Sequence, residues 1–102
     1  MRLPVIATRW SGHLDFLREE ICYFVDWELR PVPWNNDVEL SAGHQWAEVS
    51  VEHLRKLMRQ VFENREEAKQ KGLRGRAEMV GGWQWDSVIQ KYWIPQLERL
   101  LS

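Results

Sequence analysis

One cysteine, Cys22, stands among 102 residues. That excludes an internal disulfide framework and fits a reducing, cytoplasmic compartment. No apolar run approaches the ~18 residues of a membrane helix, so no transmembrane segment is expected. The opening Met1-Arg2-Leu3-Pro4-Val5-Ile6-Ala7-Thr8 is too short for a signal peptide. Charge of one sign is lacking too: the net charge is −1, which argues against a basic nucleic-acid footprint. Histidines are few and scattered. His13, His44 and His53 match no ligand spacing, so they read as surface residues, and neither a metal nor another cofactor is expected. What is present is 44% hydrophobic and 28% charged residues, the balance of an ordered chain. A chain of this length makes one domain at most and leaves roughly 6,000 Å² exposed when folded. Tryptophan is plentiful, with seven: Trp10, Trp27, Trp34, Trp46, Trp83, Trp85 and Trp93.

Leu3 to Thr8 is a short apolar run with β-branched Val5, Ile6 and Thr8, which predicts a strand buried on both faces. Pro4 is tolerated at its start. A turn at Arg9-Trp10-Ser11-Gly12 leads into a short helix, His13 to about Arg18, with Ser11 as N-cap. Ile21-Cys22-Tyr23-Phe24-Val25 predicts a second strand. Strand, helix and strand at this spacing make a parallel βαβ crossover. Residues 27–48 carry Pro31, Pro33, Asn35, Asn36, Asp37 and Gly43, and read as a long irregular, Trp-rich loop. Its tryptophans are expected to form a satellite core beneath it.

The rest is helical. Ser50 caps a helix with Val51, Leu54, Leu57, Met58, Val61 and Phe62 in one stripe, and Glu52 pairs with Lys56. Asn64 caps a second helix, Arg65 to about Val80, whose buried face is small: Ala68, Gly72, Gly75 and Ala77. Gly81-Gly82 ends it. Asp86 caps a third helix with Ile89, Tyr92, Trp93, Leu97, Leu100 and Leu101 on one packed face, bent or divided by Pro95 near Ile94. A parallel sheet needs cover on both faces and normally several strands. Only two strands are legible, so the sequence reads as the end of an α/β domain whose earlier strands lie elsewhere.

Most candidate chemistry reduces to structure. Glu19-Glu20 and Glu66-Glu67 are adjacent on helices, so neither pair converges on one reacting atom, and the second suits a first helical turn. Mid-strand Cys22 reads as a buried, inert thiol. Arg55, Lys56, Arg59, Lys69, Lys71, Arg74 and Arg76 alternate with acids and read as a solvated face. The exception is Thr8-Arg9-Trp10-Ser11-Gly12. It joins the carboxyl end of a parallel strand to a helix N-terminus, the edge where ligands of open α/β sheets bind. As a phosphate fingerprint it has the spacing of neither a dinucleotide motif nor a P-loop, so on its own residues it reads as a structural turn.

Leu3-Pro4-Val5-Ile6-Ala7-Thr8-Arg9-Trp10-Ser11-Gly12-His13-Leu14-Asp15-Phe16 resembles the stretch after the donor-site glutamates of retaining glycosyltransferases of family 4, the group 1 type. Cys22 to Pro33 is similar to the next family strand and its Val-Asp-x-Glu-Leu-x-Pro-Val continuation. Trp46-Ala47-Glu48 with Val51-Glu52-His53-Leu54 resembles the entry to a family helix, with Val49 where proline is usual. Trp85-Asp86 resembles the pair that opens the family's closing helix. The resemblance implies a GT-B architecture, and residues 1–102 would be the C-terminal portion of its Rossmann-like nucleotide-sugar-binding domain: a partial unit, one short parallel βαβ followed by three helices. Thr8, Ser11 and Gly12 match positions beside the donor site. The family's paired donor-site glutamates, the basic residue that steadies the donor diphosphate, and the acceptor domain have no counterpart in the sequence. The resemblance therefore implies a parent enzyme that moves a sugar from a nucleotide donor with retention, and an isolated chain without turnover or catalytic residues of its own. Its partners would be the donor and a complementary N-terminal chain or a second copy. The alternative is a small non-catalytic interaction module that uses an exposed strand edge and the Trp-rich loop.

Overall fold

The computed structural model describes residues 2–33 and 43–102. Strand β1 (Ile6–Thr8) is joined through a 3-10 helix (Ser11–Asp15) to β2 (Tyr23–Val25), and the two strands pair in parallel with Ile6 opposite Tyr23 and Thr8 opposite Val25. The expected crossover is present, with shorter strands than Leu3–Thr8 and Ile21–Val25. The expected α-helix from His13 is instead a 3-10 turn that begins at Ser11. A 3-10 turn rises ~2.0 Å per residue against ~1.5 Å, so few residues carry the chain back along the sheet. Tyr23 N–H donates to the Val5 carbonyl and Arg9 N–H to that of Val25. These two bonds set the parity of the ladder: odd-numbered residues of β1 face β2, and Ile6 and Thr8 turn their backbone groups to the outer edge.

Residues 27–48 correct the sequence reading. They hold β3 (Trp27–Pro31) and all but the last residue of β4 (Gln45–Val49), paired antiparallel with Trp27 opposite Val49 and Pro31 opposite Gln45. Pro31 is tolerated because it ends its strand, where a missing N–H costs little. Glu28 and Glu48 lie directly opposite each other, a repulsive pair. Arg30 offsets it, with Nη2 3.0 Å from Glu28 and Nε 3.8 Å from Glu48. Trp34, Asn35, Asn36 and Asp37 lie outside the described residues.

Helix α1 (Val51–Glu63) starts as expected, with the Ser50 hydroxyl accepting from His53 N–H at 3.2 Å and Glu52 3.2 Å from Lys56. Its stripe divides. Leu54, Leu57 and Val61 pack on Tyr23 and Val25 together with Ala68, Ile6 and Val49, whereas Val51, Met58 and Phe62 are exposed. Helix α2 (Arg65–Gly82) buries Ala68 and Gly72, while Ala77 is exposed, contrary to expectation. Asn64 sits at the predicted cap position but makes no side-chain cap bond. Gly72 permits a close approach: a Cβ there would meet the Arg2 carbonyl oxygen at 2.4 Å. β2 is thus covered by α1 and α2 on the face of Tyr23 and Val25. On the other face Phe24 lies under the Arg9 guanidinium, 4.6 Å from the ring centre.

The third helical segment comprises α3 (Trp85–Val88), a π turn (Ile89–Trp93) and α4 (Ile94–Leu101). Gln84, not Asp86, holds the cap position, and Asp86 falls in the first turn. Pro95 has no N–H for the Lys91 carbonyl, and the chain answers with a widened turn just before it. The expected division near Ile94 is present. The expected packing is not: Trp93 is 60% exposed, and Leu97, Leu100 and Leu101 are exposed as well. No described helix is long and apolar enough to cross a membrane.

Two glycines of α2 should respond in opposite directions. Gly72→Ala forces Cβ against the Arg2 backbone and should lower stability by about 1–3 kcal/mol. Gly81→Ala, where a Cβ meets nothing within 4 Å, should raise it by up to about 1 kcal/mol. Urea unfolding followed by circular dichroism reads both.

Candidate functional site

The turn after β1 is built from strained and pinned backbone. Ser11 has φ 53°, the left-handed region that a serine occupies at a cost. It is not the N-cap that the sequence suggests. Trp10 holds that position in extended conformation and makes no side-chain cap bond. The Thr8 carbonyl accepts from Trp10 N–H at 2.8 Å and lies 3.1 Å from His13 Nδ1, a geometry that places the ring proton on that nitrogen. Trp27 reaches back from β3, donating its indole N–H to the Arg9 carbonyl and packing edge-on to Trp10 at 4.3 Å. The sequence gives no hint of this last contact, because its partners meet only once β3 follows β2 across Asp26.

Beside the turn an apolar cleft of about 730 Å³ runs along β1. Val5 and β1 line one side, the crossover contributes His13, Phe16 and Leu17, and α2 contributes Gly72, Gly75, Arg76, Met79 and Val80. Of the three residues singled out from sequence, Thr8 lines this cleft, while Ser11 and Gly12 are exposed on the turn. A Cβ at Gly12 would meet nothing within 4 Å, so nothing in the chain itself demands glycine there. The cleft could not be read from the sequence: its walls span Leu3 to Val80 and share no spacing.

Electrostatics around the site are dominated by side chains that hold elements together. The Arg9 guanidinium bonds the Glu19 carboxylate and holds it below the usual range for glutamate. Arg18 bonds Glu78 and so ties the crossover to α2. Lys71, expected on a solvated face, donates instead to the Glu19 and Cys22 carbonyls and lies 4.7 Å from the Tyr23 ring centre. The His53 ring, expected at the surface, is half-buried; its Nδ1 accepts from Asp26 N–H at 2.9 Å. Cys22 is buried as expected, and desolvation pushes its thiol up from 9.0. Burial and the bond to Glu67 push Tyr23 up from 10.0. Among the described residues no group of three or more His, Cys, Asp or Glu side chains is placed to hold a metal.

The loop tryptophans divide as well. Trp27 packs on Trp10, as a satellite core requires, but Trp46 on β4 is 47% exposed. No protein-family profile matches the chain, and no curated protein and no solved structure matches it.

Tyr23 and Cys22 predict an alkaline loss of stability. Both have raised values in the folded chain, so the unfolded chain releases these protons first. Their contribution is complete below the unfolded value of each group and is lost as pH rises through the raised one. The thermal midpoint should therefore fall above about pH 9, and Cys22→Ala with Tyr23→Phe should flatten the profile. Thermal melts from pH 7 to 11 read this; parallel profiles for variant and parent would contradict it.

Proposed function

We propose that this chain is the C-terminal portion of the nucleotide-sugar-binding domain of a retaining, family 4-like glycosyltransferase, a partial Rossmann-like unit. The observation that supports the reading is positional. The Thr8–Gly12 turn lies at the carboxyl end of a parallel strand, where a ligand of an open α/β sheet sits, in a sequence with the family's motif order. Thr8, Ser11 and Gly12 border the donor there, and the open space at Gly12 leaves room for a sugar or phosphate to approach the backbone. The chain brings positioning alone. Stabilising a departing diphosphate and an oxocarbenium-like centre requires cationic or hydrogen-bonding groups aimed at the developing charge. The paired glutamates and the diphosphate-steadying basic residue of the family have no counterpart among the 102 residues.

A second reading, a non-catalytic interaction module, draws support from the outer edge of β1 and from the exposed third helix. A strand edge without a partner among the described residues is a template for association, and Ile6 and the Thr8 N–H turn toward it, while the Thr8 carbonyl is taken up by Trp10 and His13.

Calorimetry with UDP-glucose and GDP-mannose separates the two. The glycosyltransferase reading predicts weak binding, with Kd ~1 mM (about −4 kcal/mol). It also predicts no sugar release, and loss of the heat in Gly12→Glu with an unchanged circular dichroism spectrum. A folded chain that binds neither nucleotide-sugar favours the interaction module, and turnover by the chain alone would refute the assignment of a positioning role.

A further inference from the structure

Helix α1 divides its apolar residues between two faces. Leu54, Leu57 and Val61 share one arc and pack into the core. At ~100° per residue, Val51, Met58 and Phe62 fall within about 40° of one another on the adjoining arc, and all three are exposed. Arg55 and Arg59 follow within the next ~60°. Phe62 stands where two shallow grooves meet. One is lined by Arg55, Met58, Arg59 and Phe62. The other runs on between α2 and the residues before β1, and adds Arg2, Leu3, Arg65 and Lys69. Every charged residue lining either groove is a cation: Arg2, Arg55, Arg59, Arg65 and Lys69. One carboxylate reaches this set, that of Glu63, 4.0 Å from Arg59 Nε. Glu52 pairs with Lys56, and Glu66 accepts from Gln70 at 3.0 Å. Arg2, Arg55, Arg65 and Lys69 make no ion pair among the described residues. A chain of net charge −1 thus gathers positive charge around exposed apolar side chains on one face.

We propose that this α1–α2 face docks on an anionic lipid surface, with Leu3, Met58 and Phe62 entering the acyl boundary and the surrounding cations meeting the headgroup phosphates. Two observations select a lipid surface over an acidic protein partner. First, the apolar side chains protrude: Leu3 is 64% exposed, Met58 57% and Phe62 61%. Protruding anchors suit a yielding apolar medium, whereas peptide recognition needs a trough that encloses the partner's side chains. Second, charge and apolar surface are layered as an interface requires. The Arg65 guanidinium lies 5.0 Å from the centre of the Phe62 ring. Arginine and lysine stems cover apolar surface while their heads stay at the water boundary, which is the depth of a headgroup phosphate. Apolar burial and attraction to anionic lipid then add. The face needs only α1, α2 and the residues before β1, and is independent of the glycosyltransferase reading.

Co-sedimentation of the full chain with vesicles tests it, using phosphatidylcholine alone and phosphatidylcholine mixed with phosphatidylglycerol. Binding should require phosphatidylglycerol and weaken as salt rises. Arg55→Gln with Arg65→Gln should lower the partition coefficient roughly 25-fold, at about 5-fold per cation removed. Phe62→Ser should lower it at least about 10-fold. These side chains are exposed, so circular dichroism should show both variants folded. Leu97→Ser with Leu100→Ser, on the exposed third segment, should bind as the parent does. A folded parent chain that ignores phosphatidylglycerol vesicles overturns the proposal. So does equal binding to phosphatidylcholine alone, or binding that is lost in the third-segment variant and kept in the other two. Capture of poly-glutamate without vesicle binding would assign the face to an acidic protein partner and overturn it as well.

Discussion

Ile21 to Val25 is the only run of described residues buried along its whole length, and most other elements are held by what they bring to it. β1 supplies its ladder. Leu54, Leu57, Val61 and Ala68 supply one apolar cover. Arg9 caps Phe24 on the opposite face, and Lys71 ties the Cys22 carbonyl to α2. A parallel strand normally sits between two neighbours with helices on both faces. Here one neighbour and two helices do the work, helped by polar groups that reach in from Arg9 and Lys71. The arrangement buries the strand, yet leaves the outer edge of β1 and the cleft beside it to water.

That asymmetry explains why so much apolar surface remains in view. β2 can use only one face of each helix that covers it. α1 spends Leu54, Leu57 and Val61 on the core and leaves Met58 and Phe62 outside, with Arg65 lying 5.0 Å from the Phe62 ring centre. α2 approaches through alanine and glycine, which allow close contact but bury little area of their own. The remaining hydrophobic residues collect on the third segment, with no part of the core left for them to reach.

The sequence made the local features legible and hid the distant ones. The Ser50 cap, the Glu52–Lys56 pair and the break before Pro95 each depend on residues a few positions apart, and the parallel crossover is marked by two short, uninterrupted apolar runs. The β3–β4 hairpin escaped because Pro31, Pro33 and Gly43 look like loop, whereas the pairing of Trp27 with Val49 joins residues far apart in the chain. The same limit governed the site. Thr8, Ser11 and Gly12 could be read from a strand-to-helix junction, but their cleft could not, since it exists only after α2 lies across Arg2 and Leu3. Trp93 misled for another reason: helical spacing identifies an apolar ridge and says nothing about what covers it.

The clamp at Asp26 bears on the order in which the chain folds. Ser50 N–H donates to the Asp26 carbonyl at 2.9 Å, Asp26 N–H donates to His53, and His53 N–H donates to Ser50. The first two of these bonds join the residue before β3 to the first turn of α1, so they form only when the chain between them closes; the third is the local cap of α1. Closing a loop costs entropy before its contacts return any free energy. The cap of α1 and the entry to β3 therefore share partners, and the Ser50 and Asp26 N–H groups find theirs only when both are in place.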